Sequence, residues 1–236
     1  MGARADFFLR QLGPALLVLI LLLALDTTGW DSVVSRWFFD PVAGTFPLRH
    51  NASLEVFGHQ APKLVVALTG SFVIALLLLT FALPDLRPQR RLLAFLSLSL
   101  ALAPLAVVLL KAGSVRHCPW SLQEFGGYAP HLSLFDATPP GLVPGHCFPS
   151  GHAAAGFCLF AFYFAGLSLG RPRFACASFW SAVAAGMGLG MVRVVQGAHF
   201  ISHNFWSALV CWLVILGLYV AIMGVPRGAQ SVANLE

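Results

Sequence analysis

Six runs of apolar residues recur along the chain, at 12–30, 64–83, 92–110, 153–169, 174–195 and 205–223. An α-helix rises about 1.5 Å per residue, so roughly 20 mostly apolar residues cross the hydrocarbon core of a bilayer. In lipid a single segment satisfies its own backbone polar groups only as a helix. The pattern therefore predicts an all-α fold, a six-transmembrane-helix bundle. Charged residues make up only 10% of the 236 residues, against about 25% in soluble domains. That scarcity excludes a soluble globular enzyme, a disordered chain and a nucleic-acid binder. The formal net charge of +5 is then informative through its placement rather than its sum.

The first run follows Arg4 and Arg10, as the core of a secretory signal would. Asp26-Thr27-Thr28 after Leu25 makes a poor cleavage site, so a retained helix is expected. Residues 31–63 mix Trp37-Phe38-Phe39 with Pro41, Pro47 and Pro62, which suits a segment lying at the membrane interface. The stretch from about 112 to 151 is rich in Gly and Pro without helical period, and loops of that length are commonly functional.

Basic residues set the orientation. Arg4, Arg10, Arg87, Arg90, Arg91, Arg171, Arg173 and Arg227 fall on one side, in short segments where the positive-inside rule holds. The amino-terminal segment 1–11 and the tail 224–236 are thus expected in the cytoplasm. All eight histidines (50, 59, 117, 131, 146, 152, 199 and 203) fall in the outward segments or at outward helix ends. A polar cluster at the edge of a bundle is a functional-site hypothesis by default.

Three short segments break the apolar pattern at that outer edge: Lys111 to Trp120, Cys147 to His152, and Arg193 to His203. Lys111, Arg116 and Arg193 offer cationic donors suited to a phosphate or another oxyanion. Pro149-Ser150-Gly151 opens a helix, whose free N–H groups and dipole favour an anion. One of His152 and His199 can attack phosphorus while the other protonates the leaving oxygen, since imidazole titrates near neutrality. His199 and His203, four residues apart, can alternatively be two metal ligands, although no third ligand is evident. Cys158, Cys176 and Cys211 lie within the apolar runs and read as packing residues.

Together the segments resemble the signature of the type 2 phosphatidic acid phosphatase superfamily, which also contains vanadium haloperoxidases. That signature is Lys, six residues, Arg-Pro; then Pro-Ser-Gly-His; then Ser-Arg, five residues, His, three residues, Asp. Here Lys111 and Pro119 keep the first spacing, Pro149 to His152 match the second, and Arg193 and His199 keep the third. The resemblance covers about residues 111–203. It implies His199 as nucleophile, His152 as general acid, and Lys111, Arg193, Ser150 and the Gly151 backbone around the phosphoryl oxygens. It implies no cofactor and no metal for hydrolysis.

Three positions depart from the pattern: Cys118 replaces Arg, Val192 replaces Ser and His203 replaces Asp. Arg116, two residues early, is a candidate for the lost phosphate contact. His203 can accept from His199 and fix its tautomer but brings no negative charge, so a differently tuned nucleophile is expected. Cys118 and Cys147 flank the site on the oxidising side if the membrane is a bacterial inner membrane, and a disulfide between them is expected to clamp the first two segments. The resulting expectation is a lipid phosphatase of the bacterial inner membrane with a periplasmic site. Its partners are the bilayer and a lipid phosphate: lipid A, undecaprenyl pyrophosphate, phosphatidylglycerol phosphate or phosphatidic acid. A lipid phosphotransferase using the same phosphohistidine, and an inactive binding protein or transporter, are the alternatives.

Overall fold

The computed structural model describes residues 2–225, without the side chains of Phe57 and His59. Six helical stretches are long and apolar enough to cross a membrane, and the described residues form no strand. The chain is an integral membrane protein of all-α build. Its helices are α1 (Ala3–Leu25), α2 (Trp30–Arg36), α3 (Ala52–Glu55), α4 (Ala61–Ala82), α5 (Arg90–Ala112), α6 (Gly151–Phe157), α7 (Phe160–Ser168), α8 (Pro172–Val195) and α9 (Ile201–Ile222). The crossing stretches are α1, α4, α5, α6 with α7, α8 and α9. The tail expected at 224–236 lies outside the described residues from 226 onward.

The first span sits earlier than the apolar count placed it. Asp6 and Arg10 pair at 3.0 Å across one helical turn, so the helix starts among polar residues. It stops at Leu25, where the Thr28 hydroxyl caps the Leu25 carbonyl at 2.7 Å. Residues 26–30, expected inside the span, instead lead through Gly29 into the separate helix α2.

The fourth span, expected as one helix, is two. Leu159 N donates to Gly156 O and Ala161 N to Cys158 O, a tightened turn between α6 and α7. A close crossing accompanies it: a Cβ on Gly156 would lie 2.3 Å from Gly186 N of α8. Small residues let helix backbones approach in this way inside membranes.

Phe95, Ala103 and Val107 of α5 pack with Phe157, Phe164 and Ile215 in the bundle core. The α1 residues Leu16, Leu17 and Ile20 and the α4 residues Leu64, Leu68 and Phe72 are exposed, which marks α1 and α4 as peripheral, lipid-facing helices. Beyond the bundle, Phe46, Leu122, Phe125, Ala129 and Phe200 form a second apolar cluster with Phe38 and Phe39. The long outer loop contains only the short turns Pro119–Ser121 and Gln123–Phe125. It is irregular but packed, and the 31–63 segment supplies part of its floor.

Candidate active site

The three polar segments are tied to each other in pairs. Cys118 and Cys147 are disulfide-bonded, with a Cα–Cα distance of 5.2 Å, and Cys147 N donates to Arg116 O at 3.0 Å. Trp120 N donates to Gly197 O at 2.9 Å, joining the first segment to the third. Ser150 N donates to His203 O at 3.3 Å, and the Ser207 hydroxyl lies 2.8 Å from both Ser150 O and His203 O. Trp120 N–Gly197 O and Ser150 N–His203 O use backbone groups at helix ends, where such groups lack helical partners.

The spacing of Arg193 and His199 has a local cause. α8 ends in a Schellman motif: Ala198 N donates to Arg193 O at 2.8 Å and Gly197 N to Val194 O at 2.9 Å. Gly197 takes the left-handed conformation, φ +71, and a Cβ there would lie 2.4 Å from the Phe46 ring. Only glycine meets both demands. The motif turns the chain so that His199 follows the cap directly while Arg193 stays on the last turn of α8.

His199 is buried, 2% exposed, and its Nδ1 lies 3.2 Å from His203 Nδ1. The His152 ring centroid is 6.3 Å from that of His199. Burial, then the charges of His203, Lys111, His152 and Arg193, hold the His199 imidazole well below its ordinary pKa. Burial and these neighbouring charges favour the neutral form of His199. A neutral imidazole with one nitrogen engaged leaves the other available to an electrophile.

Arg193 donates from Nη1 to Gln196 at 2.8 Å and approaches Glu55 at 3.4 Å, while its buried Nε has no partner. That orphaned donor suits an oxyanion. Arg193 also lies 5.8 Å from the centre of the Trp120 ring, and Arg49 lies 4.6 Å from it. Ser150 is fully buried and its hydroxyl accepts from Ala153 N, so it caps α6 and holds Gly151 and His152 in the first turn.

Arg116 goes elsewhere. It pairs with Asp26 at 2.8 Å and its guanidinium stacks 4.7 Å from the Phe148 ring. Its charge is spent on a carboxylate, and the structure does not bring it into the group around His199.

Cys147 Sγ, His199 and His203 offer metal-capable atoms within 4.8 Å of one another. The disulfide removes the thiolate that a metal would require of Cys147. The imidazole nitrogens of His199 and His203 lie 3.2 Å apart, at hydrogen-bonding distance.

Sequence reading passed over Asp26, Asp31 and Glu55. Asp26 accepts from Arg116 and from Leu134 N, and Asp31 accepts from Ser202 N at 3.0 Å and from the Ser202 hydroxyl. Burial raises the Asp31 carboxyl above its usual range, against the lowering effect of the Ser202 bonds. The available signal was scarcity, since Asp and Glu number nine in the whole chain.

The fold and this cluster define a polytopic membrane protein with a buried histidine pair beside cationic side chains. The sequence profile of the PAP2 superfamily matches residues 92–225. The chain belongs to that superfamily, whose membrane members are phosphatase-type proteins. No match was found among curated proteins or among solved structures.

Proposed function

We propose that the protein hydrolyses a phosphate monoester or pyrophosphate of a membrane lipid through a phosphohistidine, without a metal. The observation that carries this reading is a buried His199 whose Nδ1 lies 3.2 Å from His203 Nδ1, with the His152 ring 6.3 Å away and the unpartnered Arg193 Nε one motif turn before it. With His199 Nδ1 engaged by His203, Nε2 is the nitrogen that bonds to phosphorus as the ester or anhydride P–O bond breaks. His152 gives its proton to the departing oxygen. Water then attacks the phosphohistidine, His152 takes back a proton, and inorganic phosphate leaves. Lys111, Arg193, Ser150 and the Gly151 N–H hold the phosphoryl oxygens, offsetting the charge that develops on them.

Lys111 sits at the end of α5, His152 opens α6 and His199 precedes α9, so the site lies opposite the last turn of α9. Under the positive-inside rule that end is the outer one. We read the membrane as a bacterial inner membrane and the site as periplasmic. A lipid phosphate enters sideways from the outer leaflet, its tail remaining in the bilayer and its headgroup meeting Lys111 and Arg193.

Purified protein is incubated with phosphatidic acid, phosphatidylglycerol phosphate, undecaprenyl pyrophosphate and lipid A, with EDTA, beside His199→Ala. Phosphate release that survives EDTA and vanishes in the variant supports the reading and names the lipid. Release abolished by EDTA overturns the metal-independent mechanism. Transfer of phosphate to an added lipid instead of water identifies a phosphotransferase, and no release from folded protein identifies an inactive binder.

A further inference from the structure

His203 also lines a small polar cavity of about 10 Å³, room for a single water molecule. Asp26, Asp31, Arg116, His117, His131 and His203 supply its polar lining. These groups differ in how far they are already committed. Asp26 is paired with Arg116 and also accepts from Leu134 N at 2.5 Å. His131 stacks on Phe200 and faces Glu124 at 3.2 Å. Asp31 is different: its hydrogen bonds come from the backbone and hydroxyl of one residue, Ser202. It forms no ion pair among the described residues, although burial penalises its charge.

Ser202 is the residue directly before His203 in α9. Asp31 is therefore fixed to the same helical turn as His203, and the two face one cavity. His203 Nδ1 meets His199 Nδ1 at 3.2 Å, and one of these nitrogens must carry the proton while the other accepts it. If the proton sits on His199, its Nε2 is the free nucleophilic nitrogen. If it sits on His203, His199 carries its proton on Nε2 and cannot attack. The pair alone has no preference. A carboxylate on the cavity that His203 also lines creates one, as outer carboxylates do for catalytic and metal-binding histidines.

We propose that Asp31 is a positioning residue for this site: across the cavity it holds His203 with its proton on Nε2, so that Nδ1 accepts from His199 and His199 Nε2 is left as the nucleophile. This rests on the phosphohistidine reading. Protons balance, with one on His199 Nδ1, one on His203 Nε2 and none on Asp31. As Nε2 of His199 bonds to phosphorus, positive charge appears on that ring and is shared through His203 with the Asp31 carboxylate. A chain with histidine where its family carries aspartate thereby draws its negative charge from the first turn of α2. The competing role for Asp31 is a plain cap on the amino end of α9, and the competing acceptor for His203 is the Cys147 backbone, which already meets its ring in a hydrogen bond.

The test starts with the unmodified protein in bilayers, ¹⁵N-labelled at histidine, with His199→Ala and His203→Ala giving the assignments. The expected spectrum shows His199 protonated at Nδ1 and His203 at Nε2, with Asp31→Asn disturbing both. A His203 signal protonated at Nδ1 overturns the proposal without reference to activity. On the best lipid phosphate of the panel, Asp31→Asn is expected to lower kcat about 10- to 100-fold with KM changed less than about twofold. His203→Asp in the Asp31→Asn background is expected to recover activity above either single variant, because the carboxylate then sits directly beside His199. A cap predicts instead a lower Tm, shared by Ser202→Ala, with kcat intact and no recovery in the double variant, and that result overturns the proposal. Absence of phosphate release by the unmodified protein defeats the phosphatase reading, while the spectra still decide the proton positions.

Discussion

His199 and His203 face each other through their Nδ1 atoms at 3.2 Å, both buried, one turn apart at the amino end of α9. Two neutral imidazoles at this distance share one proton. In the proposed mechanism this pair serves as nucleophile and orienting partner, with the balancing charge one step further away.

His203→Asp alone tests that arrangement. The new carboxylate would be buried on a cavity that Asp31 and Asp26 already line, where Arg116 is already paired with Asp26. The expected outcome is a fall in kcat of about tenfold or more, because buried like charges repel. Unchanged or higher activity, with folding checked by Tm, would show that the histidine is not a tuned partner.

Acid should weaken the protein through His199. Its pKa is held well below 6.5 by burial and neighbouring positive charge. The unfolded chain therefore binds a proton near pH 6.5 that the folded chain refuses. The stability associated with neutral His199 is complete above that pH and is lost as pH falls towards the folded value. Tm is expected to drop between about pH 7.5 and pH 5 and to drop less in His199→Gln. Equal slopes for the two proteins would contradict this.

The disulfide closes a 29-residue separation between Cys118 and Cys147. Replacing both cysteines by serine should cost about 2–4 kcal/mol through the freed loop. Activity should fall as well, since Cys147 Sγ lies 3.6 Å from His199 Nδ1. The check is Tm and phosphate release with and without reductant. Thiol labelling that is identical in both conditions would mean the bond is absent in the isolated protein.

Arg193→Ala and Arg116→Ala should separate. Loss of Arg193 removes the donor proposed to hold the phosphate and is expected to cut kcat/KM about 100-fold or more with Tm little changed. Loss of Arg116 leaves Asp26 buried without its partner and is expected to cost about 3 kcal/mol of stability. Measuring both parameters in both variants decides which arginine serves the substrate.

Gly156→Val should prevent the close passage of α6 past α8, because a Cβ there would lie 2.3 Å from Gly186 N, a backbone atom unable to turn aside. A loss of about 3 kcal/mol or more, or failure to accumulate in the membrane, is expected. Wild-type Tm in this variant would show that the helices cross further apart.

What was legible in the sequence is what short-range chemistry controls. Apolar runs of bilayer length specify helices because lipid offers the backbone no other partner. Lys111, His152, Arg193 and His199 could be picked out because each sits where such a run ends, and a polar group at that depth has few other uses. Local reading failed where neighbouring polar groups alter a boundary. The early start of α1 at the Asp6–Arg10 pair and its end before Asp26 are examples.

Tertiary structure alone decided how charges are shared. Asp26 takes Arg116, 90 residues away, and Asp31 takes Ser202, 171 residues away. Nothing in the spacing of the motif announces either contact, because a buried charge takes whichever partner the packed helices bring within reach. The sequence by itself determined a six-span bundle with a histidine and cation cluster at one end. Only the packed chain determined which of those cations face His199 and which are neutralised, since electrostatic pairing depends on distance through space and burial, not on distance along the chain.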